Sequence, residues 1–286
     1  MPQTKKAVFY AILAAALYAI NAPVAKLLLF HIPSTMLAGL LYLGAGSGMY
    51  LLERFHKNRK ELPLTRAELP YTIAMVVLDI AAPIFLMVGL TRCSAANASL
   101  LNNFEIVATT LIALFIFKET ISKRLGAAIV LVTISSILLS VEDASSFSFS
   151  WGSLFVLSAC VCWGFENNCT RMLSSKNPAQ IVIIKGFGSG IGALVLSFLL
   201  GERYLHLGYI VLALVLGFIS YGLSIYFYIY AQRDLGAAKT STYYAVSPFI
   251  GAALSLLIFT EIPTFLFLAA LAIMAAGTYL ASTGET

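Results

Sequence analysis

Three carboxylates fall where the hydrocarbon of a bilayer should lie. Asp79 and Glu105 sit near the middle of long apolar stretches, and Glu166 lies slightly to one side of the middle of a third. An ionisable group at membrane depth is costly and is kept where it faces a partner, a cavity or a proton path. On a helix, Asn102, Glu105 and Thr109 follow i, i+3, i+7 spacing and share one face, as do Trp163, Glu166 and Thr170. The positions of an earlier segment that match this second set are Tyr18, Asn21 and Ala25, so an aromatic and a polar group recur together. Further on, Tyr221, Ser224 and Tyr228 form one stripe, and Tyr243 and Tyr244 precede Pro248 by one turn. Carboxylates walled by aromatic rings suit a cation, because the acid supplies charge and each ring adds about 0.5–2 kcal/mol of cation–π attraction. A carboxylate withdrawn from water can also exchange a proton for a cation.

Each of these residues has a plainer reading. The tyrosines serve equally as helix-packing aromatics, and Glu105 and Glu166 as hydrogen-bonding partners of another helix. Asp79 stands alone on its helix apart from Pro83, one turn later. Lys185 is about seven residues into its apolar stretch, from where snorkelling to the cytoplasmic interface is the expected role. Its functional alternative is a counter-ion to Glu166 or a clamp for a substrate carboxylate. Glu119 and Glu261 fall at helix ends and read as caps or loop contacts. The run Gly186 to Gly192 reads as a close-packed helix face. Cys93, Cys160, Cys162 and Cys169 have neither CxxC nor zinc spacing and read as packing residues.

The elements that must position these groups follow from composition. Of 286 residues, 60% are hydrophobic and 11% charged, and apolar stretches of about 20 residues recur, the length that crosses roughly 30 Å of hydrocarbon. Ten spans are placed at 7–29, 34–53, 69–90, 94–117, 123–141, 151–172, 178–200, 207–230, 236–259 and 263–282. The formal charge of +5 comes from bases in short juxtamembrane loops, which orients the chain and argues against nucleic acid. With the N-terminus inside, 14 of the 18 bases are cytoplasmic, which puts both termini there. The N-terminal apolar run extends to Phe30 and reads as the first span rather than a cleaved signal.

A constant offset aligns Ala95-Ala96, Ser99, Ile116-Phe117, Glu119, Ala127-Ala128 and Ser140 with Ala237-Ala238, Ser241, Ile258-Phe259, Glu261, Ala269-Ala270 and Ser282. The chain therefore reads as two copies, 1–143 and 151–286, joined by the polar external linker Val141 to Ser150. Five spans per copy is an odd number, so the second copy enters the bilayer from the opposite side. The expected fold class is an all-α integral membrane protein of ten transmembrane helices in two inverted five-helix repeats, an architecture many secondary transporters use.

The stretches Cys162 to Arg171, Leu101-Asn102-Asn103-Phe104-Glu105, Phe117-Lys118-Glu119, Leu235 to Thr240 and Pro248 to Ala253 resemble the EamA-type permeases of the drug/metabolite transporter superfamily over essentially the whole length. The resemblance implies a central cavity with the fifth and tenth helices peripheral, export or exchange of small metabolites, a prokaryotic inner-membrane location, and a monomer or homodimer. Ile106 departs from the proline many members carry in the fourth helix, whereas Pro248 keeps it in the ninth.

The resulting expectation is a secondary transporter of a small cationic or zwitterionic metabolite, coupled to protons, with no cofactor. Glu105 and Glu166 are its substrate or proton carboxylates, with Asp79, Asn21, Asn102, Trp163, Tyr18, Tyr221, Tyr243, Tyr244 and Lys185 around them. A facilitator of the same fold is the alternative. No GxxxxGK[ST] segment is present, which removes ATP hydrolysis as the energy source. An intramembrane enzyme is disfavoured because His31, His56 and His206 lie at loops or span ends.

Overall fold

Apolar stretches buried in lipid must satisfy every backbone N–H and C=O internally, and helices do so. The computed structural model describes all residues except 1–2, 56–61, 117, 119–121, 144–147, 174, 204–205, 236–239, 241–242 and 284–286. Phe117, Glu119, Ala237, Ala238 and Ser241 of the repeat, the basic loop residues Lys57, Arg59 and Lys60, His56 and Lys239 thus lie outside the described residues.

The first span is two helices, α1 (Gln3–Ala19) and α2 (Asn21–Leu28), parted at Ile20. The second and third are α3 (Ser34–Phe55) and α4 (Leu69–Arg92). The fourth is broken in mid-membrane into α5 (Ala95–Leu101) and α6 (Phe104–Phe115), and the fifth is α7 (Lys123–Ser140). The linker contains a short antiparallel pair, β1 (Val141–Asp143) and β2 (Ser148–Phe149). In the second half come α8 (Trp151–Leu173), α9 (Pro178–Leu199), α10 (Leu207–Gly217) and α11 (Ser224–Leu235), the last two joined by a π-helical turn, Phe218–Leu223. They are followed by α12 (Ser247–Phe259) and α13 (Phe265–Thr283).

Among the described residues, seven helical stretches are long and apolar enough to cross a membrane, and two more, Ser247–Phe259 and Phe265–Ala281, are shorter apolar helices. The remaining span, α8, has 23 residues but carries Glu166, Asn167, Asn168, Thr170 and Arg171 in its second half. These account for the ten spans, as two five-helix repeats.

Helix pairing carries the duplication. The second span packs on the seventh, the fourth on the ninth and the fifth on the tenth, each pairing mapping onto itself when the halves are exchanged. The first span packs on the eighth and the third on the sixth, and these two pairings exchange with each other. Backbone detail follows the same offset. Among the described non-glycine residues, positive φ occurs at Lys118 (56°) and Thr260 (51°), equivalent positions just past the fourth and ninth spans. Helices α7 and α13 pack chiefly on each other, joined by Ser135 Oγ donating to Ala270 O (2.6 Å).

The glycine run of α9 is a packing face, as its composition suggested. A methyl group at Gly186 would fall on Gly46 N and Cα of α3, and one at Gly190 would lie 2.7 Å from Leu43 N. Small residues let helices approach closely where lipid offers no hydrophobic drive to associate. Gly186→Leu is expected to cost about 1–3 kcal/mol through overpacking, read as a lowered melting temperature in detergent. Gly126→Leu, at a site open for at least 4 Å, is expected to melt like the parent.

Candidate functional site

The broken helices bring polar groups from eight spans to the bundle centre, while the fifth and tenth stay at the side. At one end of this network is an ion triad. Lys185 Nζ on α9 lies 3.1 Å from Asp79 Oδ2 on α4 and 2.9 Å from Glu166 Oε1 on α8. All three are buried, with relative exposures of 5%, 0% and 2%. Tyr42 on α3 donates to Asp79 Oδ1 (2.9 Å), and Thr170 Oγ1 donates to Glu166 Oε1 one helical turn away. Lys185 therefore does not snorkel: two carboxylates hold its ammonium inside the bundle. Asp79, solitary on its own helix, finds its partners on α3 and α9.

From the triad a chain of rings crosses the bundle. The Tyr42 and Tyr221 centroids are 4.9 Å apart, and Tyr221 meets Tyr18 edge-on at 5.9 Å. Tyr18 reaches Tyr244 at 6.0 Å, and Tyr244 packs on Tyr228 at 4.9 Å. Asn21 Nδ2 donates to Tyr221 Oη (3.0 Å), and Ser224 Oγ, which donates to Ala14 O (2.8 Å), lies 3.4 Å from Tyr244 Oη. Trp163 is buried, with its indole against the Tyr42 hydroxyl. Tyr243, beside Tyr244, is half-buried.

Glu105 stands apart from the triad. It is half-buried and accepts from Asn167 Nδ2 (2.5 Å), which also approaches Thr109 Oγ1 (3.3 Å). Its carboxylate is within electrostatic reach of Tyr18, Tyr221 and Tyr244 and of Glu166 and Lys185. Asn168 ties the same two helices together, donating to Thr109 O (3.1 Å) and Gly164 O (2.8 Å).

The expected shared face of Asn102, Glu105 and Thr109 is divided. At the break the Asn103, Glu105 and Ile106 amides bond to carbonyls three residues back, which tightens the turn. Glu105 and Thr109 consequently meet Asn167, whereas Asn102 turns with Ser99 toward a small cavity lined also by Tyr18, Asn21, Ser247 and Gly251. The stripe Trp163, Glu166, Thr170 holds because α8 is unbroken. Tyr42, Asn167, Ser99 and Ser247 were not singled out from the sequence. Asn167 lies within the Cys162 to Arg171 stretch that carries the family resemblance, whereas Tyr42 lies in a glycine-rich apolar run with nothing to mark it.

Comparison with known proteins agrees with this architecture. An uncharacterized transporter of Methanothermobacter thermautotrophicus is 25% identical over 264 residues, 85% of this chain and 76% of that protein. The uncharacterized transporter YyaM of Bacillus subtilis is 21% identical over 230 residues, 77% of this chain and 75% of that protein. A solved crystal structure superposes with a TM-score of 0.71 at 16% identity, covering 97% of this chain and 96% of the other, which is a likeness of fold. The model of the EamA-like transporter family matches twice, over residues 5–141 and 150–283. Two successive matches that fall on the two halves of a doubled helical bundle place this membrane protein in the EamA-like transporter family, within the drug/metabolite transporter superfamily.

Proposed function

We propose that this membrane transporter moves a small cationic or zwitterionic metabolite, of amine or amino-acid type, by proton-coupled export or exchange through alternating access. Charge balance carries the reading. In the bundle interior, among the described residues, three carboxylates face one ammonium, so Lys185 cannot compensate them all. Protons or a cationic substrate supply the remaining positive charge, and competition between the two is what couples them.

In this reading Glu105 takes the substrate cation. It is the acid held by a neutral amide rather than by Lys185, and the nearby rings of Tyr18, Tyr221 and Tyr244 supply cation–π attraction. Glu105 gives up a proton to that cation, and Asp79, Lys185 and Glu166 form a second proton-responsive element, since loss or gain of a proton on either acid changes what the ammonium must neutralise. Asn21, Asn102 and Trp163 shape the pocket walls. A prokaryotic inner-membrane location belongs to the same proposal and rests on the family resemblance, and the cytoplasmic placing of both termini rests on the distribution of bases.

In proteoliposomes challenged with amines, quaternary ammonium compounds and amino acids, substrate addition is expected to drive proton movement, falling roughly tenfold or more in Glu105→Gln and in Glu166→Gln. Saturable flux indifferent to pH and to both substitutions would overturn the coupling and leave a facilitator. Lys185→Met, which strands two carboxylates, is expected to destabilise the bundle by about 3–5 kcal/mol, and adding Asp79→Asn to recover much of that loss. Thermal melts in detergent decide this, and a single variant as stable as the parent would contradict the role given to the triad.

A further inference from the structure

Where the breaks of the first, fourth and ninth spans meet, a cavity of ≈ 10 Å³ is lined by Asn21, Ser99, Asn102, Ser247, Gly251 and Tyr18. Its lining carries an unusual concentration of unused oxygen. Asn21 Oδ1, Asn102 Oδ1, Ser99 Oγ and Ser247 Oγ are buried without a hydrogen-bond partner, on residues with relative exposures of 1%, 8%, 3% and 0%. A buried polar atom left unpaired costs about 1–3 kcal/mol, so four around one small space describe a site that expects an occupant. The amide of Asn21 has its orientation set by Nδ2 donating to Tyr221 Oη, which leaves Oδ1 for the cavity. The Ser99 oxygen borders it as well, since a methyl at Gly251 would come 3.0 Å from Ser99 Oγ.

We propose that this cavity is a binding site for a monovalent cation, sodium in the first instance, held by the neutral oxygens of Asn21, Ser99, Asn102 and Ser247. Size limits the occupant to one atom or water, since ~10–15 Å³ is the room a single water needs. The donor set is oxygen without carboxylate, which disfavours calcium and magnesium, whose sites rely on carboxylates. The site is separate from the Asp79–Lys185–Glu166 triad but joined to it through Asn21, Tyr221 and Tyr42. An ion bound here bridges residues of the first, fourth and ninth spans, so its presence favours the packing in which those breaks converge.

The test uses purified full-length protein in detergent, with melting temperature measured in NaCl, KCl and choline chloride at equal ionic strength, and equilibrium binding of radioactive sodium alongside. Wild type is expected to melt higher in NaCl than in choline chloride and to bind sodium saturably. Ser99→Ala with Ser247→Ala, which removes two oxygens, and Gly251→Ala, which fills the cavity without removing any, are each expected to weaken sodium binding at least tenfold and to abolish the sodium-specific rise. Variants that keep the wild-type sodium dependence would overturn the assignment. Should a variant fail to fold, the wild-type measurement still decides: equal melting in the three salts and no saturable sodium binding mean that the cavity holds water only. Neither readout depends on the transported substrate, so failure here is distinguishable from failure of the proton-coupled reading.

Discussion

The position of the Lys185 ammonium between Asp79 and Glu166 constrains the rest of the bundle. Three charges taken out of water are each expensive, and their attraction offsets this only when geometry is good and the remaining polar valences are met. Tyr42 and Thr170 meet them from the second and sixth spans. Four spans are thereby tied to one point: α3, α4, α8 and α9. Gly186, adjacent to Lys185, is what lets α9 approach α3 closely, and Ser189 Oγ, four residues on from Lys185, donates to Val76 O of α4 (3.1 Å). The glycine-rich run and the buried lysine thus belong to a single device, in which close backbone approach brings the charge within reach of its partners.

What the triad does for one side of the bundle, the helix breaks do for the other. Unbroken helices would present Asn102 and Glu105 to the same neighbour. The turn at Asn102-Asn103 sends them to different ones, so that Glu105 meets Asn167 while Asn102 turns with Ser99 to the cavity beside Asn21 and Ser247. The ninth span turns one residue past the equivalent position, at Ala245 and Val246, immediately before Ser247 and Pro248.

Much of this was legible in the sequence because membrane burial makes its rules strict. The ten spans follow from length and apolarity, and the doubling from the offset that also relates Lys118 to Thr260, residues whose shared left-handed backbone no sequence pattern announced. The buried acids stood out because so few charges occur in the spans. Pairing did not. Lys185 seven residues into a helix is within snorkelling range, and only the packing of α9 on α3 and α4, which brings its ammonium to Asp79 and Glu166, decides that its charge turns inward. The break in the fourth span was hidden because Asn102-Asn103 is compatible with a helix and carries neither proline nor glycine. Tyr42 was hidden because an aromatic among apolar residues reads as packing until the group facing its hydroxyl is known. The short strand pair in the linker escaped because three residues against two carry almost no periodic signal.

Under the proposed function Glu105 exchanges a proton for a cationic group. The most direct measurement is the number of protons released when an organic cation binds to purified protein in weakly buffered detergent solution, followed with a pH indicator. Release of about one proton per bound cation is expected in the wild type and none in Glu105→Gln. Binding without proton release, or release undiminished by that substitution, would contradict it.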